Sequence, residues 1–509
     1  MKKILFIFIF IEIFNNLNAQ NQDIISLSDG DFVNFDAVFN KDAKLEGYVT
    51  LYDLGKVNDT IKKFEYVFLD KNLNKVSNKI FECENNVSNY GTYLDYKGNL
   101  ILNSVANNDG INLFNYGKYR EPVDKIVDLQ QNTVASKPKL CYKDNAFYDC
   151  SKNKTYKENR KETKREKNEK GFVYDSRVIE MKKHGGYFVF DWQDYEKFIQ
   201  NSNIIRFDND KKELWRISYN KESTKKKFEE FYILEVTNDY LYSVLVKTDT
   251  KADSKIFTLQ IFDMKTGEKK HEKLITEKNK YILENTMTDG FEDVKSDYLY
   301  NINFLKSNYF NNIGLIRTKL NKITFEYEFN DFTFESLKSY IPKIDENGGV
   351  ESGYFLYQKD FYLLQDGSCG LLFEKTKPAG QYNKMKTTDL VYLITDKDFN
   401  VKEVKTFEKD KTKGWDQSDY LFSQYLNDRK DVVFFYRDYQ KDEETNKKNW
   451  NLYINTLING EFKQEKIQIS SKDDKYYIAP YIAKEGYILL REYNEKEKYN
   501  QIRLEKLNY

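Results

Sequence analysis

This chain has no excess of either charge: 81 Lys and Arg balance 81 Asp and Glu over 509 residues. No net field therefore draws it to nucleic acid or to an anionic membrane surface. Two histidines and four cysteines, with no CxxC spacing, leave too few ligands for a zinc centre, and no metal is expected. No apolar run after residue 19 approaches the roughly 20 residues that cross a bilayer as a helix, so no membrane span is expected. GxSxG, HExxH, a P-loop, a Rossmann glycine run and a complete EF-hand loop are all absent, which removes the enzymes that those motifs mark and the cofactors that they hold. Tryptophan (4), proline (5) and methionine (5) are scarce beside 41 Tyr and 37 Phe. Tyr, Phe, Lys, Asn and Ile share A/T-rich codons, so base composition accounts for the ring excess without invoking a ligand. The rings also suit strands, and 40% hydrophobic residues suffice for a core.

What is present is a recurring turn. The segments YVFLDKNLNKV (66–76), IIRFDNDKKELWRISY (204–219), LQIFDMKTGEKK (259–270) and YLITDKDFNVKEV (392–404) each run from an apolar strand end through an Asp-led polar turn. Asp70, Asp208, Asp263 and Asp396 can accept bonds from nearby backbone N–H groups, while a following Gly or Asn tolerates positive φ and lets the strand double back. These aspartates are 138, 55 and 133 residues apart. Taken as three, one and three units, that spacing is 44 to 55 residues per unit, the size of a four-stranded propeller blade.

Along the chain, residues 1–19 read as a secretory signal. Lys2 and Lys3 supply the positive start, 4–14 are apolar, and Leu17-Asn18-Ala19 is a small-residue exit before Gln20. No Cys follows the cut, so lipid attachment is not expected. Alternating strands then follow one another through short turns, which points to antiparallel neighbours. In CYKDNAFYDC, a two-residue turn at Asn145-Ala146 sets Cys141 opposite Cys150 in a non-hydrogen-bonded pair, about 4.5 Å between Cα atoms. An exported chain meets an oxidising compartment, so a Cys141–Cys150 disulfide is expected. Cys83 and Cys369 read as small buried residues. Residues 151–170, SKNKTYKENRKETKREKNEK, cannot bury an apolar face and read as a solvated insertion, frayed or briefly helical. Trp192, Tyr195, Phe198 and Ile199 fall at helical spacing and predict a short helix. Phe334, Leu337 and Ile341 predict another, stopped by Pro342.

The fold expected is all-β with a few short helices: a single β-propeller of about seven blades over 20–509, with tandem β-sandwich domains as the alternative. The strand near 501–507 is a natural partner for one near the N-terminus. DNDKKELW partly matches the sialidase Asp box at Asp210 and Trp215, but Lys212 stands where that motif has Gly and no second copy occurs. On its Ala19-Gln20 cut and Asp-led hairpins, the chain resembles uncharacterised exported β-propeller-like proteins of Bacteroidota. That resemblance implies a fold and a periplasmic, secreted or cell-surface location, and no activity.

Two functions compete. The first is a non-catalytic binding or scaffolding protein that presents a propeller face to an envelope protein or glycan, as a monomer. The second is a secreted glycan hydrolase or lyase working through paired carboxylates about 5 to 9.5 Å apart. Trp192 and Trp215 with Asp208 and Asp210 are the candidate ligand-binding residues; Asp191 and Asp194 lie beside them. Asp208-Asn209-Asp210 offers too few oxygens for Ca²⁺ and reads as a turn. His184 has no acid or nucleophile partner in the sequence.

Overall fold

The computed structural model of the chain describes residues 21–106, 123–150, 156–276, 283–284, 286–288, 290–308, 311–379, 384–415, 419–441, 444, 448–471 and 476–508. The expected leader at 1–19, the turn expected at 116–118 and residues 151–155 of the charged segment lie outside the described residues.

The described structure is nearly all antiparallel strand. In chain order, β1 (Asn21–Asp23) is followed by the first four-stranded sheet: β2 (Asp31–Phe39), β3 (Leu45–Lys56), β4 (Ile61–Asp70) and β5 (Lys75–Glu84). The second holds β6 (Val87–Leu94), β7 (Leu100–Ala106), β8 (Asp124–Asp128) and β9 (Thr133–Lys137). A hairpin, β10 (Leu140–Lys143) with β11 (Ala146–Asp149), and the helix α1 (Tyr156–Lys170) come next. The third sheet is β12 (Val173–Glu180), β13 (Tyr187–Asp194), β14 (Ile199–Phe207) and β15 (Glu213–Tyr219). The fourth is β16 (Lys227–Val236), β17 (Tyr240–Asp249), β18 (Ser254–Asp263) and β19 (Lys269–Ile275). The fifth is β20 (Glu292–Asp293), β21 (Tyr298–Lys306), β22 (Asn312–Asn321) and β23 (Tyr327–Thr333). The sixth has β24 (Phe355–Leu363), β25 (Cys369–Pro378), β26 (Lys384–Thr395), β27 (Val401–Phe407) and an added β28 (Thr412–Trp415). The seventh is β29 (Tyr420–Leu426), β30 (Asp431–Lys441), β31 (Lys448–Ile458) and β32 (Glu461–Ser471). The last joins β33 (Tyr477–Ile482), β34 (Tyr487–Asn494) and β35 (Tyr499–Lys506) to β1.

Contacts divide the chain into two compact units: Met1–Leu140, Asp149–Asn159 and Ile469–Tyr509 form one, Cys141–Tyr148 and Arg160–Gln468 the other. In the first, β1 pairs with β35 in the register Asn21↔Arg503, so the strand near the C-terminus does find an N-terminal partner. Strand β4 explains the packing there. Its period of two sends Phe64, Tyr66 and Phe68 into one cluster with Tyr90, Leu100 and Leu102 of the second sheet. Val67 and Leu69 enter another with Leu489, Ile502 and Leu504 of the last sheet. A sheet covered on both faces is not half of an isolated sandwich. In the second unit each sheet likewise packs on the next in chain order, the third on the fourth, the fourth on the fifth, and so on to the seventh.

The four recurring turns all form, and each joins the third strand of its sheet to the fourth. Asp70 Oδ1 accepts the amides of Asn72 (2.8 Å) and Asn74 (2.9 Å), and Asp396 Oδ1 those of Asp398 and Asn400 (both 2.9 Å). The residue of positive φ differs from the expected one. It stands three positions after the Asp, at Leu73 (67°), Lys211 (63°) and Phe399 (69°), whereas Asn74 and Asn400 use their side-chain amides to tie the second carboxylate oxygen. Only the Asp263 turn uses glycine, Gly267 at φ 70°, where an added Cβ would meet the Trp215 ring at 2.6 Å.

Two local expectations are corrected and a third gains a detail. The segment around Trp192 is not a helix: Trp192 occupies the bulge between Asp191 and Gln193 of β13, and 195–198 is the turn into β14. Tyr195 and Phe198 sit at helical spacing because they stack across that turn, 5.1 Å apart and 4° from parallel. In the cysteine hairpin the turn is Asp144-Asn145, both at positive φ (52° and 59°), the two-residue geometry that matches strand twist. Cys150 therefore donates its amide to Lys139 O (3.0 Å), and the Cys141–Cys150 disulfide, which is present, runs diagonally; Cys83 and Cys369 are free and buried. Finally, α1 is the charged helix that the sequence allowed, and the side chain it buries, Glu166, is itself charged. Glu166 accepts from Lys143 Nζ (2.7 Å) and the Tyr174 amide (3.3 Å). Burial opposes its ionisation, but the bond to Lys143 prevails and holds its pKa below the ordinary value. The short helix around 334–341 does form, as a 3₁₀ segment Phe334–Ser339 capped by Thr333. Among the described residues no helix is long and apolar enough to cross a membrane.

Candidate functional site

The four residues singled out in the sequence do not meet. Asp208 is a turn former, its Oδ1 accepting the amides of Asp210 and Lys212 (both 2.9 Å). Trp215 is core: its Nε1 donates to Met264 O (2.9 Å), and the ring packs between the third and fourth sheets. The pairing Tyr187↔Phe207 sets the Asp208 turn just past the Tyr187 end of β13. Trp192 lies five residues farther along that strand, about 16 Å at 3.3 Å per residue. Beside it, Asp191 accepts from Tyr174 (2.5 Å) and Asn203 (2.7 Å) and is a buried structural acid. His184 clips the loop after β16 through Val236 O (2.9 Å) and Asn238 Oδ1 (3.0 Å). Among the described residues no cluster of three His, Cys, Asp or Glu side chains could hold a metal ion.

A concave site exists elsewhere, where the sixth sheet meets the seventh. A cleft of about 690 Å³ opens between β27, β30, β31 and β32, within the size range of small-molecule sites. Tyr436 and Tyr453 are directly opposed across β30 and β31, and their rings stack 4.9 Å apart and 4° from parallel. Phe462 meets Phe407 edge-on at 5.6 Å, with Lys405 Nζ 4.4 Å above its ring. Alternation along β32 puts Gln464 on the face that carries Phe462. Its amide donates to Tyr436 Oη (3.2 Å) and Asn455 Oδ1 (2.8 Å). Burial raises the pKa of both Tyr436 and Tyr453, so both stay as neutral hydroxyls. Glu408, Gln440, Lys463, Glu465 and Lys466 complete the polar rim.

The link from β27 to β28 divides two environments. Strand β27 pairs with the Leu390–Thr395 part of β26, and β28 with Lys384–Thr387 of the same strand. Between them Glu408 lines the cleft, while the next residue, Lys409, turns into the protein and is fully buried. Its ammonium lies 2.9 Å from Glu374 Oε1 and 3.0 Å from Asp419 Oδ2. Glu374 also receives Lys359 (3.0 Å), and Asp419 receives Thr412 Oγ1 (2.8 Å), with Arg437 Nε at 3.7 Å. Asp438 accepts the amides of Asp410 (3.1 Å) and Tyr439 (2.8 Å), and burial pushes its pKa up to about 6. These carboxylates are engaged by cations or amides. They hold the 408–412 link in place, and the groups that face the cleft are rings, amides, hydroxyls and rim charges.

The family model described as "Family of unknown function (DUF6770)" matches residues 369–508, a span that contains the cleft and most of the charge cluster. No curated protein matches the chain. Solved structures similar to it include the WD40 domain of SCAP from fission yeast, 9% identical over 96% of this chain and 98% of that one, with a TM-score of 0.35. The β-propeller domain of the Trilobed protease from Pyrococcus furiosus is 10% identical over 95% and 97%, with a TM-score of 0.28. A PL25 ulvan lyase is 10% identical over 94% of each chain, with a TM-score of 0.27.

Proposed function

We propose that this chain is an exported binding protein whose four-stranded sheets serve as propeller blades, and that the cleft between the sixth and seventh sheets takes a glycan chain. The observation that carries the reading is the cleft: aromatic rings beside a fixed carboxamide and neutral phenols. Sugars present C–H faces that stack on rings and hydroxyls that pair with such amides and phenols. The leader read at 1–19, the resemblance to exported propeller-like proteins and the disulfide all agree with an oxidising compartment outside the cytoplasm. A binding role is preferred to hydrolysis as the simpler reading: Glu374, Asp419 and Asp438 are committed to internal partners, and the two carboxylates of the cleft itself, Glu408 and Glu465, stand on its polar rim. A glycan array followed by calorimetry tests the reading. Gln464→Ala and Phe462→Leu are expected to weaken the best-retained oligosaccharide about tenfold, about 1.4 kcal/mol, with folding intact. Retention of no glycan, or affinity unchanged in both variants, would sink it; release of shortened chains would move the protein to the glycan-active enzymes.

A further inference from the structure

A second cavity, of about 260 Å³, lies at the other end of the 408–412 link and is lined by Ser352, Tyr354, Lys377, Lys386, Lys411 and Thr412. Three of those six residues are lysines and none is acidic. The strand register makes this more than a chance grouping. Lys377 of β25 is the direct partner of Lys386 of β26. Like charges directly opposed across a sheet are unfavourable, and two cations close by in the chain are neutralised. Lys375 is bonded to Glu351 (2.6 Å) and Asp389 (3.0 Å), and Lys409 to Glu374 and Asp419. Among the described residues, Lys377, Lys386 and Lys411 make no ion pair. Lys377 is instead held in place without losing its charge: its ammonium donates to Ser352 O (2.9 Å) and lies 4.5 Å above the Tyr354 ring. Ser352 keeps a left-handed backbone, φ 59°, at the point that offers this carbonyl.

We propose that Lys377, Lys386 and Lys411 form a cradle for an oxyanion, a sulfate or phosphate group. An anion there would offset the repulsion between paired lysines and accept bonds from ammonium groups that have donors to spare. The cavity has the room of about nine waters at ~30 Å³ each, enough for a tetrahedral anion. This proposal is independent of the glycan reading of the aromatic cleft, whose lining it does not share.

Inorganic sulfate and phosphate are titrated into the full chain at constant ionic strength, with chloride as the reference, by calorimetry and by thermal melting. Saturable binding is expected in the wild type, and Lys386→Gln and Lys411→Gln are each expected to weaken it about tenfold. In chloride alone both variants are expected to melt no lower than the wild type, because the substitution relieves repulsion. No saturable response to either anion, or equal affinity in wild type and both variants, overturns the proposal. A hexose 6-sulfate and a hexose 6-phosphate identify the source: tighter binding than the inorganic ion assigns the cradle to a group carried on a sugar, and equal or weaker binding assigns it to the free ion.

Discussion

Lys409→Met isolates the contribution of the buried charge cluster. The substitution keeps the length of the side chain and removes the one ammonium that bridges Glu374 (2.9 Å) and Asp419 (3.0 Å), where all three side chains are at most 1% exposed. Breaking a buried ion pair from one side costs about 3–5 kcal/mol, because the abandoned charge stays in a poorly solvating site. Here two carboxylates are abandoned, yet each keeps a donor: Glu374 retains Lys359, and Asp419 retains Thr412. The lower end, about 3 kcal/mol, is therefore expected. Hydrogen exchange of peptides covering β25, β26 and β30 is the suitable assay, since it reads local opening without requiring the whole chain to unfold in one step. Exchange through opening should rise about 100-fold, the equivalent of about 2.7 kcal/mol. Adding Glu374→Gln and Asp419→Asn to Lys409→Met should recover much of the loss, because neutral polar groups in the same space carry no stranded charge. A single variant within 0.5 kcal/mol of the wild type, or a triple variant no better than the single one, would refute the argument.

Three further outcomes follow from other parts of the molecule. Asp438 has its pKa raised by burial from 3.8 to about 6, so the folded state binds its proton more tightly than the unfolded one. Its contribution to stability is full below about pH 4 and is lost as the pH rises through about 6. Asp438→Asn keeps an oxygen for the Asp410 and Tyr439 amides, and urea titrations should find it equal to the wild type near pH 4 and more stable at pH 8 by about 1–2 kcal/mol after solvent screening. Replacing both Cys141 and Cys150 by Ser opens a ten-residue loop and should cost about 2–3 kcal/mol in local opening of the hairpin, read by exchange at 140–150. Ile24→Ala should cost about 2–4 kcal/mol, measured by thermal unfolding of the first unit. Ile24 is fully buried, its amide donates to Asn500 O (2.9 Å) and its carbonyl accepts from Tyr52 (2.6 Å).

The repeat was legible because it depends on one side chain. An Asp that gathers two amides over the next four residues works wherever the chain must leave a third strand and enter a fourth, and the signature survives while the rest of each sheet varies. What could not be read is which residue takes the left-handed conformation. Leu73 and Phe399 are unlikely residues for positive φ, and they hold it because their side chains are buried, Leu73 against the last sheet and Phe399 beneath Arg317 (5.3 Å). Tertiary burial offsets a local cost that no window of sequence displays. The helix expected at Trp192 failed for the converse reason: a spacing of three brings rings together on a helix and also across a tight turn, and only the strand pairing around it separates the two.

The site was less legible than the fold, and the reason is how charge and rings are distributed. Phe407, Tyr436, Tyr453 and Phe462 come from four strands, each of which reads alone as an ordinary half-buried alternation. They come together only where β27 and β32 face one cleft. Equal totals of acid and base conceal a segregation of the same kind. Lys375 and Lys409 are neutralised inside the sixth sheet, Glu166 is neutralised beneath α1, and Lys377, Lys386 and Lys411 share a cavity whose lining, among the described residues, holds no acid. Neutrality over 509 residues excludes a long-range field, but over the Debye length of about 10 Å at 0.1 M salt what a ligand meets is the local excess. A net-charge argument therefore bears on a polyanion approaching from afar and leaves open a single oxyanion that docks against three lysines.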